Sequence, residues 1–205
     1  MNPKEHWENI YISKPPHEVS WTQQFPTSSL RFLESLCLPL SAKIIDVGGG
    51  DSQLADQIIE RGFENVSVLD ISASALERTK ARLRKNSDNV KWIESNILEF
   101  ETDEKYDFWH DRAVFHFLTK PEDTQKYKAL AVDKVKANGW FLIGTFSESG
   151  PMKCSGLEIK QYSEQQLIDA FSPDFQMVKS FQEEHKTPFD TIQHFQFCLF
   201  QRIEK

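Results

Sequence analysis

The segment 44–54, IIDVGGGDSQL, places an acid and three consecutive glycines directly after a short apolar run. A strand, a tight turn and a helix start in this order let a backbone come close to a bound cofactor. A Cβ at the turn would block that approach. The candidate cofactor-binding residues here are Asp46, Gly48, Gly49 and Gly50. A glycine-rich connection without a ligand is the alternative.

This glycine segment departs from two better-known nucleotide motifs. No Gly-Lys-Ser/Thr follows it, which argues against a triphosphate loop. Ser52 and Gln53 stand where the last glycine of a dinucleotide fingerprint would fall. The segment therefore predicts a nucleotide-like ligand of some other kind.

Asp70 ends the next predicted strand, inside a β-α-β unit that begins at the glycine turn. An acid at this place accepts hydrogen bonds from the hydroxyls of a ribose. The alternative is a plain helix N-cap before Ser72. We expect Asp70 to bind a ribose.

Composition and charge place the chain among soluble globular proteins. It has 205 residues, 39% hydrophobic and 27% charged, with a formal net charge of −7. This charge argues against nucleic acid and anionic membranes as partners. Three widely spaced cysteines indicate neither a disulfide framework nor a zinc site, and the polar start lacks a signal-peptide pattern. We expect a cytoplasmic protein of one domain, 1–205, with an N-terminal helical cap over 1–40 and a core over 41–205.

Strand and helix patterns alternate from residue 43 onward, which favours a parallel sheet covered by helices. Two capping-box patterns, Thr119–Glu122 and Ser163–Gln166, mark helix starts. The predicted strands are Ala42–Val47, Asn65–Leu69, Val90–Glu94, Tyr106–Trp109, Trp140–Phe146, Phe175–Glu184 and Ile192–Ile203. The predicted helices are Pro3–Ile12, Thr27–Cys37, Asp51–Arg61, Ser72–Lys85, Pro121–Lys136 and Ser163–Phe171.

The order of these elements resembles the class I S-adenosylmethionine-dependent methyltransferases. The motifs that carry the resemblance are IIDVGGGDSQL, VSVLDIS, WIESNILEF and YDFWHDRAVFHFL. The family implies an α/β three-layer sandwich with a seven-stranded, mainly parallel sheet. Its strand order is 3-2-1-4-5-7-6, the last strand being antiparallel. The implied cofactor is S-adenosyl-L-methionine, with S-adenosyl-L-homocysteine as product and no metal.

The resemblance also implies roles for single residues. The glycine motif would lie against the methionine part of the cofactor and Asp70 would bind the ribose. Ile71 would pack on the adenine, and Ile97 would offer it a backbone N–H. Asn96 stands where the family usually has an aspartate, and its oxygen keeps an acceptor for the adenine amine.

The segment WHDRAVFHFLT, 109–119, resembles a bacterial subgroup of methyltransferases of uncertain substrate. His110 and Asp111 are the candidate catalytic bases for an acceptor that must lose a proton. The resemblance also implies that His110 contacts the cofactor, because the family places residues between the sulfonium and the substrate at this point. Asp111 and Arg112 could equally form an internal ion pair, and Arg112 is a candidate substrate contact. His116 lies in an apolar turn, and a histidine in such a turn is more often a buried core residue than a catalytic base.

Aromatic residues and one cysteine complete the candidate site. Trp21 is predicted to contact the cofactor, and Trp7 and Tyr11 the substrate, because aromatic faces attract a sulfonium. Packing of the cap on the sheet is the alternative. Cys154, in the KCSGL segment that the subgroup shares, is a candidate substrate-lining residue and not a nucleophile.

Methyl transfer to a small-molecule acceptor is the function that these patterns favour. A protein lysine methyltransferase is the alternative, since some relatives of this fold with similar N-terminal W/Y segments modify proteins. The Asn/Asp-Pro-Pro-Tyr type of motif is replaced by His110-Asp111-Arg112, which weakens that alternative. A non-catalytic cofactor-binding protein is less favoured still.

Overall fold

The computed structural model describes residues 2–204 and holds nine strands and six α-helices within that range. The helices are α1 Pro3–Ser13, α2 Thr27–Ser35, α3 Leu54–Glu60, α4 Ala73–Leu83, α5 Pro121–Lys134 and α6 Glu164–Phe171. The strands are β1 Lys43–Val47, β2 Asn65–Asp70, β3 Val90–Glu94, β4 Tyr106–Arg112, β5 Val135–Phe146, β6 Lys153–Cys154, β7 Leu157–Glu158, β8 Phe175–Lys186 and β9 Ile192–Arg202.

Seven strands form one sheet in the order β3-β2-β1-β4-β5-β9-β8. β1 pairs in parallel with β2, β2 with β3, and β4 with β5, whereas β9 runs antiparallel to β5. Since β6 and β7 form a separate hairpin, β8 and β9 are the sixth and seventh strands of the main sheet. The predicted fold class and strand order are confirmed.

The chain divides into two compact units, which we describe separately. The first contains the chain up to Thr102 together with Lys186–Thr191, and the second contains Asp103–His185 and the chain from Ile192 onward. The predicted organisation as a single domain stays a prediction.

Each unit has its own buried apolar residues. In the first, the cluster between sheet and helices is Ala55, Val68, Leu76, Leu83 and Val90. In the second, the rings of Phe141 and Phe171 lie 4.8 Å apart, and Phe115 and Tyr127 lie 5.0 Å apart. Aromatic burial of this kind supplies much of the stabilisation of a core.

Two helix starts follow from local side-chain chemistry. The capping box of α6 is confirmed: Ser163 Oγ accepts from Gln166 N at 3.3 Å, and Gln166 Oε1 accepts from Ser163 N at 2.9 Å. The box predicted at Thr119 is wrong, because Lys120 is the N-cap and makes no side-chain cap. Pro121, with its fixed φ, begins that helix instead.

Several other element boundaries differ from the prediction. α3 begins at Leu54 and not at Asp51, because Ser52 Oγ accepts the N–H of Leu54 at 3.0 Å and holds the preceding residues in a turn. α5 ends at Lys134 and β5 begins at Val135, five residues before the predicted start. β4 continues to Arg112, since backbone pairing with β5 continues past the predicted end.

Candidate functional site

The glycine turn after β1 is fixed by backbone hydrogen bonds to the end of β2. Gly48 has φ +71°, a left-handed conformation that glycine adopts without strain. The N–H groups of Gly48 and Gly49 donate to the carbonyl of Leu69 at 2.7 and 3.3 Å. The turn is therefore held beside the end of the strand that carries Asp70.

Two carboxylates pack directly against this bare backbone. A Cβ at Gly49 would lie 2.3 Å from Asp46 Oδ2, and a Cβ at Gly50 would lie 2.6 Å from Asp70 Oδ2. Such distances are too short for any real contact, so a side chain at either glycine would displace an acid. The absence of side chains at Gly49 and Gly50 thus lets both acids lie directly against the turn.

Asp70 is buried, and backbone donors orient both of its oxygens. Oδ2 accepts from Gly50 N at 3.0 Å, and Oδ1 accepts from Ser72 N at 2.9 Å. Burial raises the pKa of Asp70 to about 6, the backbone hydrogen bonds oppose the rise, and the charge of Asp46 adds to it. Each carboxylate oxygen can accept a second hydrogen bond, so capacity for ribose hydroxyls remains.

The residues predicted to contact adenine follow the ends of β2 and β3. Ile71 is half-buried directly after Asp70, and Ile97 is buried in a short 3₁₀ turn. Asn96 is the N-cap of that turn, because its Oδ1 accepts from Leu98 N at 3.0 Å. The oxygen expected to contact the adenine amine therefore already accepts one hydrogen bond.

The aromatic residues of the N-terminal segment form a cluster. The ring of Trp7 lies 6.4 Å from Tyr11 and 5.6 Å from Trp21, and Tyr11 lies 6.1 Å from Trp21. Tyr11 is buried, while the two tryptophans are half-buried. The structure thus brings together the three aromatic residues singled out by sequence.

Glu8 of α1 binds the start of α4, a contact that sequence reasoning missed. Its carboxylate accepts from Ser72 Oγ at 2.7 Å and from the hydroxyl and N–H of Ser74. Burial acts to raise the pKa of Glu8, but the hydrogen bonds from Ser74 and Ser72 outweigh it and lower the pKa. An anion at a helix N-terminus is favourable, and no local pattern links residues this far apart in sequence.

Arginines on α4 complete this attachment. Arg78 donates to the carbonyls of Tyr11 and Lys14 at the end of α1 and pairs with Asp51 at 3.0 Å. Arg82 pairs with Asp51 at 3.2 Å and also with Asp56. One helix therefore holds both the N-terminal segment and the loop after the glycine turn.

In the second unit, His110–Arg112 are the last residues of β4, and the prediction that they follow the strand is wrong. His110 is buried and stacks on Phe108 at 6.3 Å between ring centroids. The guanidinium of Arg112 lies over the ring of Phe195 at 4.4 Å. These side chains lie at the carboxyl end of a parallel strand, where α/β sheets bind ligands.

Asp111 is buried and braces the turn that follows β4. Its Oδ2 accepts from Tyr127 Oη at 2.6 Å, and its Oδ1 accepts from Val114 N at 2.9 Å. Burial raises its pKa to about 6, although these hydrogen bonds oppose the rise. The contacts favour a structural role for Asp111 over that of a base.

His116 and Cys154 are buried in forms that do not suit proton transfer at neutral pH. Burial, with the charge of Arg112, lowers the pKa of His116 to about 3, and its Nδ1 accepts from Phe146 N at 3.3 Å. Burial raises the pKa of Cys154 to about 12, although the charge of Arg112 opposes this. The imidazole is thus a neutral core group, and the thiol stays protonated.

Residues 2–204 lack the features of two other classes of protein. No group of three or more His, Cys, Asp or Glu side chains in that range could hold a metal ion. No helix in the same part of the chain is long and apolar enough to cross a membrane.

The order of the seven strands and the helices between them define the Rossmann-like methyltransferase fold. The structure resembles the N-methyltransferase NodS of Bradyrhizobium japonicum, solved with S-adenosylhomocysteine, with a TM-score of 0.72 at 14% identity over 99% of this chain and 100% of that one. It also resembles the 1,6-didemethyltoxoflavin-N1-methyltransferase of Burkholderia thailandensis, with a TM-score of 0.71 at 15% identity. This match covers 98% of this chain and 84% of that one. These likenesses concern the fold.

Residues 41–198 match the family model described as a methyltransferase domain. The chain belongs to this family and is an S-adenosylmethionine-dependent methyltransferase. It is 23% identical over 194 residues to an EEF1A lysine methyltransferase 2 of Danio rerio, covering 87% of this chain and 77% of that protein. It is 27% identical over 120 residues to a ubiquinone biosynthesis O-methyltransferase of Rickettsia conorii, covering 58% and 40%.

Proposed function

We propose that this enzyme methylates a small-molecule acceptor and that the first unit holds S-adenosylmethionine through the glycine turn and Asp70. The observation that carries the proposal is Asp70, whose carboxylate is oriented by the N–H groups of Gly50 and Ser72. Its remaining acceptor capacity suits the two hydroxyls of a ribose. Gly49 and Gly50 let the carboxylates of Asp46 and Asp70 pack against the turn, because a Cβ at either position would overlap them.

Several neighbours of Asp70 would hold the rest of the cofactor. Asp46 and Gly48 would face the methionine part, and Ile71 would pack on the adenine. Ile97 would donate its backbone N–H, and the second lone pair of the Asn96 oxygen would accept from the adenine amine. When bound, S-adenosylmethionine supplies a methyl group already activated by its sulfonium.

The N-terminal segment supports a small acceptor. Glu8 attaches α1 to the first turn of α4, directly after Asp70 and Ile71. This attachment favours an enclosed cofactor region over an open one. We expect Trp21 to contact the cofactor, and aromatic faces there would favour a positive sulfur.

His110 is the proposed base in the second unit. An acceptor hydroxyl or protonated amine must lose a proton, and a positioned imidazole that takes it contributes roughly 10²–10⁴-fold to the rate. We expect Trp7, Tyr11, Arg112 and Cys154 to line the acceptor. Alignment of the acceptor with the methyl group can contribute about 7–11 kcal/mol.

A protein lysine acceptor is the second candidate, and one observation favours it. Similarity to the EEF1A lysine methyltransferase 2 of Mus musculus, at 22% identity, covers 92% of this chain, whereas the similarity to the ubiquinone O-methyltransferases covers 58%. The longer match extends beyond the cofactor-binding core.

The test is methyl transfer from labelled S-adenosylmethionine into a fractionated lysate. We expect label in the low-molecular-weight fraction, and label confined to protein bands would replace the small-molecule proposal by the lysine one. His110→Ala should lower transfer about 100-fold at saturating S-adenosylmethionine. His17→Ala, at an exposed histidine, is the matched control. Cofactor binding without transfer to either fraction would favour a non-catalytic protein.

Four finer expectations accompany this proposal. We expect neither nucleic acid nor membrane as a partner because of the acidic charge, and a cytoplasmic enzyme because the three cysteines form no disulfide pattern. We expect full activity in the presence of a metal chelator. Membership in the bacterial WHDRAVFHFLT subgroup is the fourth expectation, and it rests on the motif alone.

A further inference from the structure

A polar cavity in the second unit lies apart from every residue assigned above. Its volume is about 530 Å³, which lies within the range of small-molecule sites, roughly 300–1,000 Å³. It is bounded by the loop after β5, the start of α6, and residues of β8 and β9. The cavity is therefore large enough for a compact metabolite.

Buried polar side chains form its floor. Ser147, Tyr162 and Gln196 are each no more than 3% exposed. Gln196 is fixed by donating to the carbonyls of Phe181 and Phe197 at 3.3 and 3.2 Å. Ser147 Oγ lies 3.0 Å from Ser149 Oγ, so one hydrogen of this hydroxyl pair remains available to a ligand.

Tyr162 brings an unused donor to the cavity. Its ring packs on Phe115 at 5.2 Å and lies under the ammonium of Lys160 at 4.7 Å. Within residues 2–204 its hydroxyl makes no hydrogen bond. Burial raises the pKa of Tyr162, so the phenol stays protonated. Because Tyr162 lines the cavity, its hydroxyl can donate to a ligand oxygen there.

Acidic groups form the rim. The exposed side chains of Glu148 and Glu164 line the cavity, and neither lysine nor arginine is among its lining residues. Glu164 also accepts a hydrogen bond from Ser180 Oγ. The rim therefore favours a positively charged group over an anion.

We propose that this cavity binds a small hydroxylated amine. The ammonium would lie between Glu148 and Glu164, and a ligand oxygen would accept from the hydroxyl of Tyr162. Further ligand hydroxyls would contact the Ser147–Ser149 pair. The inference concerns the second unit alone and does not depend on methyl transfer.

Calorimetry with glucosamine and glucose tests the proposal. These probes differ at one position, where glucosamine has an amine and glucose has a hydroxyl. At slightly acidic pH, glucosamine should bind measurably and glucose at least several-fold more weakly. Tyr162→Phe, which keeps the ring packing, should weaken glucosamine binding about fivefold. Glu148→Gln should weaken it about threefold, with a smaller effect at high salt. Glu101→Gln, at an exposed glutamate of the first unit, should bind as the wild type does.

Three results would overturn the proposal: no binding of glucosamine, equal binding of the two probes, or unchanged affinity in both cavity variants. Glu148 is exposed, so its variant keeps the test decisive if Tyr162→Phe is unstable. Melting temperatures of all variants identify such a loss of fold.

Discussion

Two buried aspartates, Asp70 in β2 and Asp111 in β4, have the same raised pKa of about 6 but different surroundings. Asp70 receives backbone N–H groups from a glycine turn and from the residue that caps α4. Asp111 receives the hydroxyl of Tyr127 and the N–H of Val114, in a turn with no glycine. Burial alone therefore does not distinguish a ligand-binding acid from a structural one.

The difference lies in what surrounds the oxygens. Asp70 packs against the bare backbone of Gly50, where a Cβ would overlap its carboxylate, whereas Tyr127 packs its ring against Phe115 next to Asp111. We infer that Asp70 binds the cofactor and that Asp111 stabilises the fold. The following predictions test that distinction.

Asp111→Ala should have the largest effect on stability. It leaves the hydroxyl of Tyr127 and the N–H of Val114 buried without an acceptor, and we expect a loss of about 4 kcal/mol. Denaturant unfolding measures the loss, and S-adenosylhomocysteine affinity should stay within about twofold for the folded fraction. A mild loss of stability with a large loss of affinity would reverse the roles of the two aspartates.

The change of the free energy of unfolding with pH should be nearly as large as the loss expected for Asp111→Ala. The pKa of Asp111 in the folded protein is about 6, above its ordinary value of 3.8. The stabilisation of the folded state by protonated Asp111 is fully present below about pH 4. It is lost as the pH rises through 6, and its magnitude is roughly 3 kcal/mol. Unfolding of Asp111→Asn between these pH values should show a flatter slope than the wild type. An unchanged slope would show that Asp111 does not titrate in this range.

Gly50→Ala should affect both stability and cofactor binding. The new methyl would lie 2.6 Å from Asp70 Oδ2 and 2.5 Å from the Cβ of Ala75. We expect about 2 kcal/mol of destabilisation from overpacking, together with weaker S-adenosylhomocysteine binding, measured by calorimetry. Wild-type affinity in this variant would contradict the proposed position of the cofactor.

Glu8→Gln should have the smallest effect. The amide keeps the shape of the side chain but loses the charge at the start of α4, which should cost about 1 kcal/mol. Thermal unfolding measures this cost, and Glu5→Gln, at an exposed residue of the same helix, is the control. Equal stability of the two variants would show that the contacts of Glu8 to Ser72 and Ser74 contribute little.

The alternation of apolar strands and helices predicted a parallel sheet because it depends on local periodicity, whereas the strand order came from the resemblance to the class I methyltransferases. The sequence pattern missed the end of β4, since His110–Arg112 are polar and are kept extended by pairing with β5. It also placed a capping box at Thr119, where proline at the helix start made the cap unnecessary. Boundaries set by tertiary pairing do not appear in a local pattern.

Parts of the candidate site were also predictable from local sequence patterns. The glycine turn and Asp70 lie in one β-α-β unit, so their proximity follows from local connectivity. The contacts of Glu8 and of Asp111 with Tyr127 depend on long-range packing. A sequence shows that such side chains exist but not which partner they reach.

Calorimetric titration of S-adenosylhomocysteine into the wild type, Asp70→Ala and Asp111→Asn tests the central claim most directly. We predict binding to the wild type, similar binding to Asp111→Asn, and affinity lower by on the order of 100-fold in Asp70→Ala, which loses two charge-assisted hydrogen bonds. An absence of binding to the wild type, or equal affinity in Asp70→Ala, would contradict the assignment of Asp70 to the cofactor.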